Sequence, residues 1–249
     1  MGREWCRGET CGTDERMKRL VLWDTDGTLI LGGNLGGRAL GDYFARTYGW
    51  DGVGAALNPH GRMDPGIVDG IFAHFGHIPS AKERQRVLSE YLVGLAAVIG
   101  KGENGSRCLP GVPDVLSAPR QEESWYQGLL TGNLREAARL KLSYHGLWER
   151  FAFGAFGEDG PTRSDLIPVA WERARLETGV GFLGENTWIV GDTPRDAEAA
   201  RAHNTRVALV GTNPRVPFGE LEACRPDVLL RDLSDVEGFW RALNSVRGH

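Results

Sequence analysis

No apolar run in this 249-residue chain is long enough to form a membrane-spanning helix. The longest, Tyr91 to Ile99, falls well short of the roughly 20 residues that cross a bilayer. Blocks of Lys or Arg are also missing and the formal net charge is −4, so a nucleic-acid scaffold is not expected. Any anionic ligand must therefore be met by local positive charge. Cysteine is scarce: Cys6, Cys11, Cys108 and Cys224 show no C-x-x-C spacing and no neighbouring histidine pattern. That excludes a zinc framework and predicts free thiols in a reducing cytoplasm. Residues 1–16 carry Arg3, Arg7 and Arg16 but no apolar h-region, so they do not read as a secretory signal. A disordered tail is expected there.

The remaining composition, 41% hydrophobic and 25% charged, suffices for one core with an insertion. Its most informative stretch runs Val21-Leu-Trp-Asp24-Thr-Asp26-Gly-Thr28. Alternate side chains of a strand share a face, so Asp24 and Asp26 converge if the strand ends there. One carboxylate can attack while the other handles a proton. Gly27 lets the backbone turn away sharply and make room for a ligand.

Further apolar runs, Trp125 to Leu130, Trp188 to Val190 and Val207 to Val210, alternate with helical periodicity over Leu134 to Leu142, Leu166 to Thr178 and Pro194 to His203. This rhythm predicts an α/β fold, a Rossmann-like parallel sheet covered by helices, with loops gathered at the carboxyl ends of its strands. From 36 to 107 the pattern becomes helical only, with apolar spacing at Leu40/Tyr43/Phe44, Ile67/Val68/Ile71/Phe72 and Val87/Leu88/Tyr91/Leu92/Leu95. We read residues 17–35 and 108–249 as the core and 36–107 as an inserted helical cap. Asp64-Pro65 predicts a cap residue followed by a first-turn proline, and Ser80-x-x-Glu83 predicts a capping box. Gly32, Gly33, Gly36 and Gly37 before the insertion and Gly100, Gly102 and Gly105 after it fit either a hinge or ordinary turns.

Three more elements carry chemistry. Thr131-Gly132-Asn133 follows a strand and opens a helix; it fits an anion-binding loop, or a plain helix start with Asn133 as cap. Arg163, before another helix, suits bidentate contact with phosphate, or is simply solvated. Gly191-Asp192-Thr-Pro-Arg-Asp196 adds carboxylates at a further strand end. Few oxygen ligands suit Mg²⁺, with Asp24 and Asp192 as its side-chain ligands. Asp196, three residues after Thr193, reads as support for a helix N-terminus rather than as a ligand.

In this order and spacing, Asp24-Thr-Asp26-Gly-Thr28, Thr131-Gly-Asn133, Arg163 and Gly191-Asp192 to Asp196 resemble the four motifs of the haloacid dehalogenase-like hydrolase superfamily. The resemblance runs from about Lys18 to past Val210, and Gly61-Arg-Met-Asp-Pro65 is similar to a segment of the helical caps of its phosphoglycolate-phosphatase-like branch. It implies that Asp24 is the nucleophile and that Asp26 protonates the leaving oxygen and then activates water. It further implies that Mg²⁺ is held by Asp24, Asp192 and the Asp26 backbone carbonyl, and that Thr131 and Arg163 hold the phosphoryl oxygens beside Gly132 and Asn133. Arg163 stands where many relatives have Lys. An acid at position 26 favours phosphate chemistry over carbon–halogen or carbon–phosphorus cleavage. The expected substrate is a small-molecule phosphate ester, with a phosphomutase as the nearest rival and a noncatalytic binding module as the alternative of another class. Arg62, with His60 nearby, is the candidate for recognising the organic part of the substrate from the cap.

Overall fold

A computed structural model describes residues 18–56, 62–102, 105–118 and 124–246; the expectations for residues 1–16, for His60 and for Gly61 lie outside them. The chain forms a six-stranded parallel sheet in the order β5-β4-β1-β6-β7-β8. Its strands are β1 (Arg19–Trp23), β4 (Trp125–Leu130), β5 (Gly154–Ala155), β6 (Thr187–Gly191), β7 (Arg206–Val210) and β8 (Val228–Leu230). Val21 and Trp23 point to one layer, packed with α5 (Val112–Ser117), α6 (Arg135–Tyr144) and α10 (Val236–Ser245). Leu20 and Leu22 point to the other, against α7 (Leu166–Thr178), α8 (Pro194–Ala202) and α9 (Phe218–Ala223). This period-two division buries the central strand on both faces. The strand order reverses beside β1, which puts the carboxyl ends of β1, β4 and β6 next to one another where ligands of open α/β sheets bind.

The strand Trp125–Leu130 and the helix Leu166–Thr178 coincide with the sequence reading. A short antiparallel pair, β2 (Ile30–Leu31) with β3 (Arg107–Cys108), was not foreseen; it ties together the two chain segments that lead into and out of the insertion. The insertion comprises α1 (Leu35–Tyr48), α2 (Val53–Ala56), α3 (Asp64–His74) and α4 (Ala81–Gly100). Its buried side chains, among them Phe44, Val68, Phe72, Tyr91 and Leu95, form a separate apolar cluster. Each fully buried aliphatic or aromatic side chain of that size contributes about 1.5–3 kcal/mol. Leu134 and Ala137, just before and within α6 of the core, belong to the same cluster, so the cap rests on the helix that follows Thr131-Gly-Asn133.

Two local expectations are corrected. Gly36, Gly37 and Gly100 are helical rather than hinge residues, whereas Gly33, Gly102 and Gly105 have positive φ. Asp64 is the first residue of α3 and Met63 stands at the cap position, which frees the Asp64 carboxylate for work elsewhere. The Ser80/Glu83 capping box is present. Among the described residues no helix is long and apolar enough to cross a membrane, and Cys108 and Cys224 are free thiols.

Candidate active site

A cavity of about 440 Å³ opens where the cap meets the carboxyl ends of the strands. Asp24, Asp26, Arg62, Thr131, Gly132, Asn133, Arg163 and Asp192 all line it. Asp24 follows β1 and is nearly buried, its backbone N–H donating to the Val190 carbonyl at 2.9 Å. Asp192 follows β6 and is fully buried; its carboxylate accepts from the Thr28 hydroxyl at 2.9 Å and from the Asn213 amide at 2.7 Å. Gly27 has φ +91°, and a Cβ there would lie 2.2 Å from Asp192 Oδ2. The turn that follows Asp26 therefore requires glycine on both conformational and steric grounds. The Thr212 hydroxyl donates to the Gly27 carbonyl and fixes this turn from β7's side.

Arg163 is buried in front of α7. One of its terminal nitrogens lies 2.6 Å from Asp196 Oδ1, 3.1 Å from Asp24 Oδ1 and 3.0 Å from the Leu130 carbonyl oxygen. The solvated alternative for Arg163 is thereby ruled out. Removing one partner from such a buried ion pair costs about 3–5 kcal/mol. Asp196 stands behind Arg163, its other oxygen accepting from the Thr193 N–H at 3.0 Å and hydroxyl at 2.7 Å. It thus closes the start of α8, as its spacing predicts.

Carboxylate oxygens of Asp24, Asp192 and Asp196 lie within 4.8 Å of one another. A single guanidinium shared among three buried acids leaves two negative charges uncompensated. The consequence falls on their protonation. Burial, opposed by Arg163 and reinforced by Asp196, pushes the Asp24 carboxyl up to about 6. Burial, with Asp24 and Asp196 beside it, holds Asp192 well above the usual carboxylate range. Such a cluster needs a further cation to stay ionised, and an all-oxygen donor set fits a hard divalent metal.

The Thr131-Gly132-Asn133 loop is organised differently from a simple helix cap. Asn133 does not cap α6. Its side-chain amide donates to Asp26 Oδ2 at 2.8 Å and to Thr131 Oγ1 at 2.9 Å, while its carbonyl oxygen accepts from Lys141 Nζ at 2.6 Å. Thr131 Oγ1 also accepts from the Asn133 backbone N–H at 3.3 Å; with its lone pairs so engaged, the hydroxyl hydrogen is left to donate to a ligand. The first N–H groups of α6 are satisfied in trans. Leu134 donates to Asp64 Oδ2 at 2.8 Å, and Arg135 donates to the Glu158 carboxylate at 3.0 Å.

Asp64 ties the cap to the core. Besides receiving the Leu134 N–H, it donates its own backbone N–H to the Gly132 carbonyl at 2.7 Å and is hydrogen-bonded to the buried Tyr91 hydroxyl. Burial, opposed by Lys141 and the Leu134 N–H, raises its carboxyl to about 6. Next to it, a Cβ on Gly132 would fall 2.2 Å from the Arg62 carbonyl oxygen. The Arg62 side chain is exposed at the cavity rim.

A Gly132→Ala change is expected to prop this seam open, because overpacking against backbone costs about 1–3 kcal/mol. At about 1.4 kcal/mol per factor of ten, the ratio of seated to unseated cap should fall by up to about a hundredfold. Steady-state kinetics on the best substrate should show kcat/KM falling accordingly. Unchanged kinetics would mean that the observed seam has no part in turnover.

Lys141, Asp64, Tyr91 and Asn213 were not anticipated as site residues. Lys141 lies in a periodic helix and carried no signal of its own, yet it is 6% exposed. Burial alone would lower its pKa; the carboxylates of Asp26 and Asp64 outweigh that and raise it. Only Asp64 carried a signal in the sequence, and that signal pointed to the wrong helix.

The fold recurs in solved structures. A β-phosphoglucomutase from Clostridium difficile superposes with a TM-score of 0.72 at 16% identity, covering 92% of this chain and 98% of that one. A predicted phosphoglycolate phosphatase from Haemophilus somnus 129pt gives 0.67 at 16% identity, with 90% and 98% covered. CbbY from Rhodobacter sphaeroides in complex with phosphate gives 0.67 at 18%, with 88% and 96% covered. A search of curated proteins returns no match. The sequence matches the model of the haloacid dehalogenase-like hydrolases over residues 21–201, a span that contains every strand-end carboxylate described above. With Asp24, Arg163, Asp192 and Asp196 drawn together at adjoining strand ends and the match extending across them, the chain belongs to the haloacid dehalogenase-like hydrolase family.

Proposed function

We propose that this protein is a Mg²⁺-dependent phosphatase that hydrolyses a small-molecule phosphate monoester through an aspartyl-phosphate at Asp24. The observation that carries this reading is that two carboxylates on one turn, Asp24 and Asp26, face the same cavity while held by different cations. Arg163 binds Asp24, and Lys141 binds Asp26. Separate partners leave the two carboxylates free to take separate parts, one attacking and the other handling a proton.

Asp24 attacks phosphorus, the phosphorus–oxygen ester bond breaks, and Asp26 delivers its proton to the departing alkoxide. Water then attacks the same phosphorus, Asp26 takes up the water proton, and Asp24 is regenerated as inorganic phosphate leaves. Thr131 donates its hydroxyl to a phosphoryl oxygen. Arg163 keeps Asp24 oriented and offsets the repulsion between its charge and the phosphate, roughly 4 kcal/mol at 4 Å and an effective dielectric near 20. Mg²⁺, held by the Asp24 and Asp192 carboxylates and the Asp26 carbonyl, would neutralise the remaining charge during transfer. In this reading residues 17–35 and 108–249 form the catalytic core and 36–107 the cap, with Arg62 facing the organic part of the substrate.

The test is phosphate release from a panel of small phosphate esters with and without Mg²⁺. Metal-dependent release supports hydrolysis and ranks the esters. A phosphomutase on a sugar phosphate is the second reading, favoured by a cavity lined by both cap and core. It would instead yield an isomerised sugar phosphate with no net phosphate release.

A further inference from the structure

We propose that Lys141 is a positioning residue for the acid/base: with Asn133 it immobilises Oδ2 of Asp26, so that Oδ1 is the oxygen that exchanges the proton with substrate and water. This inference rests on the phosphatase reading of the site.

The Lys141 ammonium lies 2.6 Å from Asp26 Oδ2 and 2.6 Å from Asn133 Oδ1. An ammonium only donates, so it dictates which way the Asn133 amide faces: carbonyl toward Lys141, NH₂ toward Asp26 and Thr131. The amide then adds a second donor to the same Asp26 oxygen at 2.8 Å. Among the described residues Oδ1 receives no hydrogen bond. It faces Gly32, where a Cβ would lie 2.7 Å away, so a side chain at position 32 would occupy its place.

The Asp26 side chain is 38% exposed and would otherwise exchange its two oxygens by rotation. Two donors on one of them prevent this. The same chain of contacts reaches the phosphate loop, because the Asn133 amide also fixes the lone pairs of Thr131 Oγ1. One buried lysine thereby sets the donor and acceptor directions of both Asp26 and Thr131. The cap's Asp64 is seated on the N-terminus of the helix that carries Lys141.

The test separates positioning from general damage by the leaving group. An alkyl phosphate needs its oxygen protonated as it departs, whereas p-nitrophenolate leaves without help. Lys141→Met is compared with wild type in rapid-mixing experiments with Mg²⁺, after thermal melts confirm that it is folded. Phosphoenzyme formation from the alkyl ester should slow by about 10²-fold, within the range attributed to general acid catalysis. The burst of p-nitrophenolate should survive, followed by slow turnover because Asp26 must still activate water. Lys141→Arg, which restores the charge, should recover part of the alkyl rate, and it carries the comparison if the Met variant does not fold. Equal losses for both esters, or no loss, would overturn the positioning role while leaving the phosphatase reading intact. Absence of wild-type release from either ester would overturn the phosphatase reading, and this inference with it.

Discussion

Asp24→Asn is expected to lower turnover by on the order of 10⁴–10⁶-fold, the range seen when an essential nucleophilic unit is lost, while the protein keeps its fold. Amide and carboxylate have nearly the same shape, and Arg163 retains Asp196 at 2.6 Å after the change. The main-chain bond from Asp24 to Val190 is untouched. The variant also loses a buried negative charge from a cluster that has too many, so its melting temperature should not fall. Acid quenching of the wild type during turnover should trap phosphate on the chain as an acyl phosphate, released by hydroxylamine; Asp24→Asn should trap none. Asp196→Asn should be milder, since its carboxylate acts on Arg163 and on the start of α8 rather than on phosphorus. A folded Asp24→Asn protein that keeps a substantial share of wild-type turnover would remove Asp24 from the reaction.

The residues that could be read in advance share one property: their signal is local. Asp24, Asp26, Gly27 and Thr28 lie on one strand end, and Asp192 with Asp196 on one strand-to-helix turn, so spacing alone suggested their convergence. The buried strands β1, β4, β6 and β7 were legible because continuous apolar runs between polar turns admit few other readings. Strand β5, with two residues, and β8, with three, are too short to show any period. They exist because the neighbouring strand offers them a ladder.

Lys141 illustrates the other limit. Its partner Asp26 is 115 residues away, and nothing within α6 distinguishes a lysine folded inward from one in water. Asp64 misled for a related reason. An aspartate before proline has the local chemistry of a cap, but the backbone enters the helix one residue early and the carboxylate caps a helix 70 residues on. Such tertiary capping is decided by how the insertion docks on the core, which no local pattern reports.

Mg²⁺ is expected to stabilise the protein, and more so as pH rises. Asp24 and Asp64 are each raised to about 6 from a reference of 3.8, and Asp192 is held well above that reference. The folded chain therefore binds these protons more tightly than the unfolded chain does. Their contribution to stability is complete below the unfolded values and is lost as pH rises through the folded ones. The metal-free protein should accordingly melt at lower temperature at neutral pH than at mildly acidic pH. A divalent ion displaces the protons on Asp24 and Asp192 and replaces their stabilisation, so its effect should be small in acid and large at neutral pH. At a hundred times its Kd, a ligand that binds only the folded state adds about 2.7 kcal/mol. For a chain of this size, at about 2–4 °C per kcal/mol, that is a rise of about 5–10 °C. Asp192→Asn should raise the metal-free melting temperature by removing a buried carboxyl crowded by Asp24 and Asp196 and should nearly abolish the Mg²⁺ increment. Melting curves across pH, with Mg²⁺ or with a chelator, provide the check. A chain whose stability is flat in pH and indifferent to Mg²⁺ would show that the three carboxylates are balanced by Arg163 alone, and the proposed reaction would then have to proceed without a metal at this cluster.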